Sequence, residues 1–141
     1  MSFGETIAAF LGRVILACFF LSETYRYALG WNATVMLLTL KQVQHPQLVL
    51  AGALLAMVLC SLSLLLGYVA RLGALVLFAL TVNATAFLHD FWHIQDAAAR
   101  LDDYDIFSRN MAIAGGLLVL VGVGPGKFAM HKEDGSGGKG D

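Results

Sequence analysis

The sequence predicts an all-α integral membrane bundle of four transmembrane helices, with a short interfacial segment between helices one and two. Three observations predict it. Of 141 residues, 58% are hydrophobic and only 13% are charged, against about 45–50% and about 25% in soluble domains. Mean hydropathy is +0.72. Four separate apolar runs approach the roughly 20 residues that cross a bilayer. Nine Lys/Arg and ten Asp/Glu make a thin charged skin for a water-solvated chain of this length, so lipid is read as the main solvent. A net charge of −1 leaves no basic balance for nucleic acid.

The runs follow in order. The first spans Thr6 to Ser22, the second Leu48 to Leu66, the third Leu72 to Trp92 and the fourth Ile106 to Val123. Inside hydrocarbon each must be helical, because every backbone N–H and C=O needs an internal partner. Gly67-Tyr68-Val69-Ala70-Arg71 reads as a tight turn between spans two and three. The link from residue 23 to residue 47 carries Tyr25, Tyr27 and Trp31 as interfacial anchors, and its stretch Ala33–Lys41 reads as a short interfacial or re-entrant helix ended before Pro46. The link from His93 to Asp105 is acidic and partly helical through Ala97-Ala98-Ala99-Arg100. Residues 1–126 thus form one transmembrane domain, and the Gly-rich, charged residues 127–141 read as a disordered tail.

Ile15-Leu16-Ala17-Cys18 faintly resembles a lipoprotein cleavage box, but no Lys or Arg precedes the apolar run, Arg13 lies within it and Phe19-Phe20-Leu21 after it are again apolar, so the first run reads as a retained helix. Cys18 and Cys60 read as small apolar core residues without a disulfide. Ala8/Gly12 and Ala112/Gly116 are small pairs four apart, which suit close helix packing in lipid. Arg13, inside the first run, reads as snorkelling to the nearer interface, or as a partner for an anionic headgroup or another subunit's carboxylate. Asn83 reads as helix–helix glue. Gly122–Lys127 is a helix stop and not a phosphate-binding loop, since no Ser or Thr follows Lys127. Lys/Arg are divided almost evenly between the two membrane faces; the reading places both termini in the cytoplasm.

Alternating spans bring the end of helix one, the end of helix three and the start of helix four to one membrane face. Glu23, Arg26, His45, His89, Asp90, His93, Arg109 and Asn110 therefore share that face. Ionisable groups near the hydrocarbon boundary are costly unless paired or wet, so this is the default site. Phe87–His93 is its densest part. His89 and His93 are four apart, so their side chains project from one helix face. Such a pair with Asp90 can hold a metal, a haem or the carbonyl head of a quinone; the bland alternative is an interfacial belt of His, Asp and Trp. A metal is not expected, because no third ligand has a recognisable spacing.

Taken together, these residues resemble the DoxX family of small bacterial membrane proteins. The likeness rests on Leu11-Gly12-Arg13, the turn Gly67–Arg71, His89-Asp90-Phe91-Trp92, and Asn110 with Gly115-Gly116 and Gly124-Pro125-Gly126. It departs at Val58-Leu59-Cys60-Ser61, where the family often has a carboxylate, and at Ala129-Met130-His131. The resemblance implies an accessory or electron-transfer subunit of a quinone-linked oxidoreductase in the inner (plasma) membrane. His89, Asp90, Trp92 and His93 would contact the quinone head or a partner, and Arg109 would offset charge. Other membrane subunits and the lipid bilayer are the expected partners. A non-enzymatic scaffold or assembly role is the alternative.

Overall fold

A computed structural model describes residues 2–126. The expected tail, residues 127–141, lies outside the described residues. Helix α1 runs Phe3–Leu29, α2 Trp31–Leu40, α3 Pro46–Leu66, α4 Ala70–Leu88 and α5 Ala97–Val123, with a 3-10 turn at Phe91–His93. No strand occurs among the described residues. Four of these helices are long and apolar enough to cross a membrane. The chain is a multi-pass membrane protein, and its environment is a lipid bilayer.

α1 begins at a reciprocal cap. Ser2 Oγ accepts from Glu5 N at 3.3 Å, and Glu5 Oε2 accepts from Ser2 N at 2.6 Å. The helix outlasts the expected end at Ser22, because its polar residues are satisfied locally. Arg26 pairs with Glu23 at 2.6 Å, one turn apart, and Thr24 Oγ1 donates to Phe20 O at 2.8 Å. The chain then passes through Gly30 directly into α2, so the expected short helix starts at Trp31, two residues earlier than read. Pro46 occupies the first turn of α3, where its missing N–H is harmless.

The turn between α3 and α4 is as tight as expected. Gly67 takes the left-handed conformation (φ 72°) that caps α3, and Ser63 Oγ donates to Tyr68 O. Val69 is also left-handed (φ 50°), an expensive state for a β-branched residue. Directly after it, α4 packs very close to α3. A Cβ added at Gly73 would lie 3.0 Å from Ser63 Oγ and 3.2 Å from Cys60 O.

In the bundle α1 packs on α3, α3 on α4 and α4 on α5, with a sparser seam between α1 and α5. The core is small: Ala17 and Phe20 of α1 meet Leu64 of α3, Ala70, Ala74 and Leu77 of α4, and Leu117 and Leu120 of α5. Outside it, Leu55, Leu59, Leu62, Leu72 and Val119 are exposed, as lipid solvation allows. The close approach at Gly73 was not the one the sequence suggested. Nothing lies within 4 Å of a Cβ at Gly12 or Gly116, so both glycines face out of the bundle. Cys18 is exposed, while Cys60 packs against the core.

Arg13 corrects a second expectation. It does not snorkel. It is 1% exposed, and its Nη1 donates to Leu64 O at 2.9 Å. The guanidinium thereby meets one of the last carbonyls of α3, where the helix dipole is negative. Arg71 takes a similar place beside α5: its guanidinium lies against the backbone at Gly124, where a Cβ would fall 2.8 Å from Nη2.

α5 carries 27 residues, roughly 40 Å at about 1.5 Å per residue. Its N-cap is Asp96, whose Oδ2 accepts from Ala99 N at 2.9 Å. The acidic stretch Asp102–Asp105 is therefore helical and continuous with the apolar span, which begins nine residues earlier than the hydropathy alone suggests.

Candidate functional site

α4 stops at Leu88, short of the expected end at Trp92. His89 still donates its N–H to Thr85 O at 2.9 Å, but Asp90 leaves helical geometry and Phe91–His93 form a separate 3-10 turn. The inference that His89 and His93 share one helix face therefore fails, and the two rings have different partners. His89 Nδ1 lies 2.8 Å from Asp103 Oδ1 on α5, both side chains being largely buried. His93 Nδ1 lies 3.1 Å from Asp90 Oδ2, with His93 mostly exposed.

Asp90 has a second partner. Lys41, the residue that ends α2, reaches Asp90 Oδ1 at 3.2 Å and donates to Phe87 O at 2.7 Å. Its ammonium also sits 5.5 Å from the Phe87 ring centre. The lysine thus ties the end of α2 to the end of α4 through one carboxylate and one orphan helix carbonyl. Trp92 is half exposed and joins an aromatic belt, edge-on to Phe91 and Phe107 at 5.2 and 6.1 Å. Arg109 is exposed on α5 and lies 6.0 Å from the Phe19 ring centre.

Just below this face lies a partly open, mostly apolar cavity of about 590 Å³. Phe20, Leu50, Leu54, Met57 and Leu80 make its apolar walls, and Thr34 and Leu38 of α2 contribute a further side. Its polar lining comes from Glu23 and Tyr27 of α1, from Thr81, Asn83 and Thr85 of α4, and from His89 and Asn110. Asn110 Nδ2 donates to Thr85 Oγ1 at 3.1 Å, which ties α5 to α4 at the wall. Asn83 does not glue helices together: its Nδ2 donates to Ala79 O of its own helix at 2.7 Å.

Of the five residues singled out by sequence, the cavity takes His89. Asp90 and His93 belong to the Lys41 tie, Trp92 to the aromatic belt, and Arg109 is exposed over Phe19, a ring of the cavity lining. Sequence reading missed Asp103, Thr81 and Thr85. One signal for the threonines was present, since Thr81, Thr85 and His89 recur at intervals of four, the spacing of a helix face. Asp103 gave none, because its pairing depends on where α5 begins.

The arrangement fixes the chemistry that His89 offers. A carboxylate on Nδ1 favours the tautomer protonated there, which leaves Nε2 as a hydrogen-bond acceptor; protonation of the ring turns Nε2 into a donor. Among the described residues, no three His, Cys, Asp or Glu side chains converge on a common point as a metal site requires.

The chain belongs to the SURF4 family, whose model matches residues 5–135. No curated protein and no solved structure matches it. The family match corrects the resemblance to DoxX proteins. Three of the motifs behind that resemblance sit where any short-looped bundle needs them: Gly67 is a left-handed helix cap, Gly124-Pro125-Gly126 follows the end of a helix, and His89–Trp92 is an interfacial turn. They report helix ends, which unrelated bundles share.

Proposed function

For a SURF4-family chain with this cavity, we propose a membrane-embedded binding protein for an amphiphile of the quinone class, serving as an accessory subunit to a quinone-linked oxidoreductase. The observation that carries the reading is the cavity itself, an apolar pocket of about 590 Å³ with hydrogen-bonding groups near one membrane face. In a bilayer, apolar walls alone discriminate little, because lipid tails are as apolar as Leu. Selectivity then rests on the polar lining. His89, oriented by Asp103 at 2.8 Å, serves as the head contact, with Asn110 and Thr85 beside it. Catalytic redox centres belong to the partner in this reading. It places the chain in the inner (plasma) membrane with both termini in the cytoplasm.

The test is extraction of lipids from detergent-purified protein, with quinones identified by mass. Stoichiometric retention that falls in His89→Ala and in Asp103→Ala is the expected result. Absence of any retained quinone, or retention unchanged in His89→Ala, refutes it.

A second reading, a scaffold or assembly protein for other membrane subunits, is favoured by the outward glycines. Gly12, Gly115, Gly116 and Gly122 would each accept a Cβ without contact, so their backbones stay open to a neighbouring helix. Loss of co-purifying subunits in Gly116→Leu, with quinone retention unchanged, favours this reading.

A further inference from the structure

Thr81 is out of step with every other threonine in the chain. Thr6, Thr24, Thr34 and Thr39 each donate to the carbonyl four residues back, at 2.8–3.0 Å. Thr85 accepts from Asn110. Thr81 lines the cavity, is 9% exposed, and its Oγ1 has no hydrogen-bond partner among the described residues. A buried hydroxyl without a partner is costly, and in a membrane no bulk water relieves it. Threonine in a helix readily takes either of two χ1 rotamers. A turn about χ1 that exchanges methyl and hydroxyl can bring Oγ1 to the cavity wall.

Thr81 lies one helical turn deeper along α4 than Thr85 and two turns deeper than His89. The step from Thr85 to Thr81 is roughly 6 Å at about 1.5 Å per residue. The cavity therefore has two polar levels: an outer one at His89, Asn110 and Thr85, and an inner one at Thr81. Deeper still on α4 comes Leu77, fully buried in the core. A ligand with one polar head fills only the outer level. Two carbonyls of about 1.23 Å on opposite corners of a six-membered ring set their oxygens roughly 5 Å apart, close to the step from Thr85 to Thr81, with His89 a further turn out.

We propose that Thr81 is a specificity-determining residue that hydrogen-bonds the inner oxygen of a ring carrying two oxygens para to one another. The proposal rests on the amphiphile-binding reading above and names the ligand feature the site distinguishes. The hydroxyl donates to a ring carbonyl and accepts from a ring hydroxyl, so both redox forms of such a ring can be held.

The experiment measures binding to nanodisc-embedded protein of two ligands with the same alkyl tail, a para-benzoquinone and a phenol with a single ring oxygen. Thr81→Val keeps the side-chain shape and removes the hydroxyl. It should weaken quinone binding roughly three- to tenfold, the worth of one neutral hydrogen bond, leave phenol binding unchanged, and be rescued by Thr81→Ser. Equal losses for both ligands indicate a packing effect and overturn the proposal. So does unchanged quinone binding in Thr81→Val while His89→Ala still loses it, an outcome that leaves the parent reading intact. If neither ligand binds the unaltered protein, both readings fall together.

Discussion

Replacing Arg13 with Met tests the least expected element of the fold. The long apolar stem is approximately kept, and the guanidinium is lost. Two opposing effects then compete. Deleting a charge that is 1% exposed relieves its desolvation, which favours the variant by an amount that can reach several kcal/mol. Against this, Leu64 O loses a charge-assisted bond of 2.9 Å, a contact class worth about 1.5–3 kcal/mol. The C-terminus of α3 also loses a cation at its negative end, worth about 0.3–1 kcal/mol and up to about 2 when partly buried. The membrane settles the sign. A carbonyl stripped of its partner beside lipid cannot be rehydrated, so its desolvation cost persists. Arg13→Met should therefore destabilise the bundle, by less than the roughly 2–5 kcal/mol of the two lost contacts because the relieved desolvation offsets part of it. The assay is reversible unfolding in mixed micelles, followed by circular dichroism, with Arg13→Lys as a companion that keeps the charge. A variant as stable as the parent, or more so, would refute the claim that this guanidinium holds α1 to α3.

Three further outcomes follow from the geometry. Gly73→Leu should cost about 1–3 kcal/mol by forcing α3 and α4 apart, because even a Cβ there meets Ser63 Oγ at 3.0 Å; the same unfolding titration reads it, and Gly116→Leu, with open space around it, should be nearly silent. Lys41→Ala should free the end of α2 from Phe87 O and Asp90. Hydrogen exchange over Trp31–Leu40 should then rise while exchange in α4 stays unchanged. Asp103→Asn should leave helix content intact but weaken ligand retention by His89, because an amide can either donate to or accept from Nδ1 and the ring loses its fixed tautomer; the readout is the amount of ligand retained at a single pH.

The spans were legible from the sequence because hydropathy and length suffice to identify them. What the sequence hid were the places where tertiary contacts override local signals. The stretch from Leu88 to Ile94 contains no Gly or Pro, so nothing local announces that α4 ends at Leu88. The break coincides with the Lys41–Asp90 and His89–Asp103 pairs, which join residues 49 and 14 positions apart. That break separates His89 from His93 and leaves one of the five selected residues at the cavity. Arg13 looked like a snorkelling residue because its acceptor, Leu64 O, belongs to another helix. The small-residue pairs misled for a simpler reason. Glycine in a span permits close approach and does not say on which face a neighbour will come, and the contact formed at Gly73.

The length of α5 has a consequence for how a ligand gets in. About 40 Å of helix exceeds the roughly 30 Å of hydrocarbon by about two turns. The acidic N-terminal turns of α5 are the part costliest to place in oil, so an overhang at that end carries Asp103, and His89 paired with it at 2.8 Å, towards the lipid headgroups. An amphiphile moving laterally in that leaflet already carries its own polar end at this depth. It can slide in sideways, tail first or alongside, without turning over.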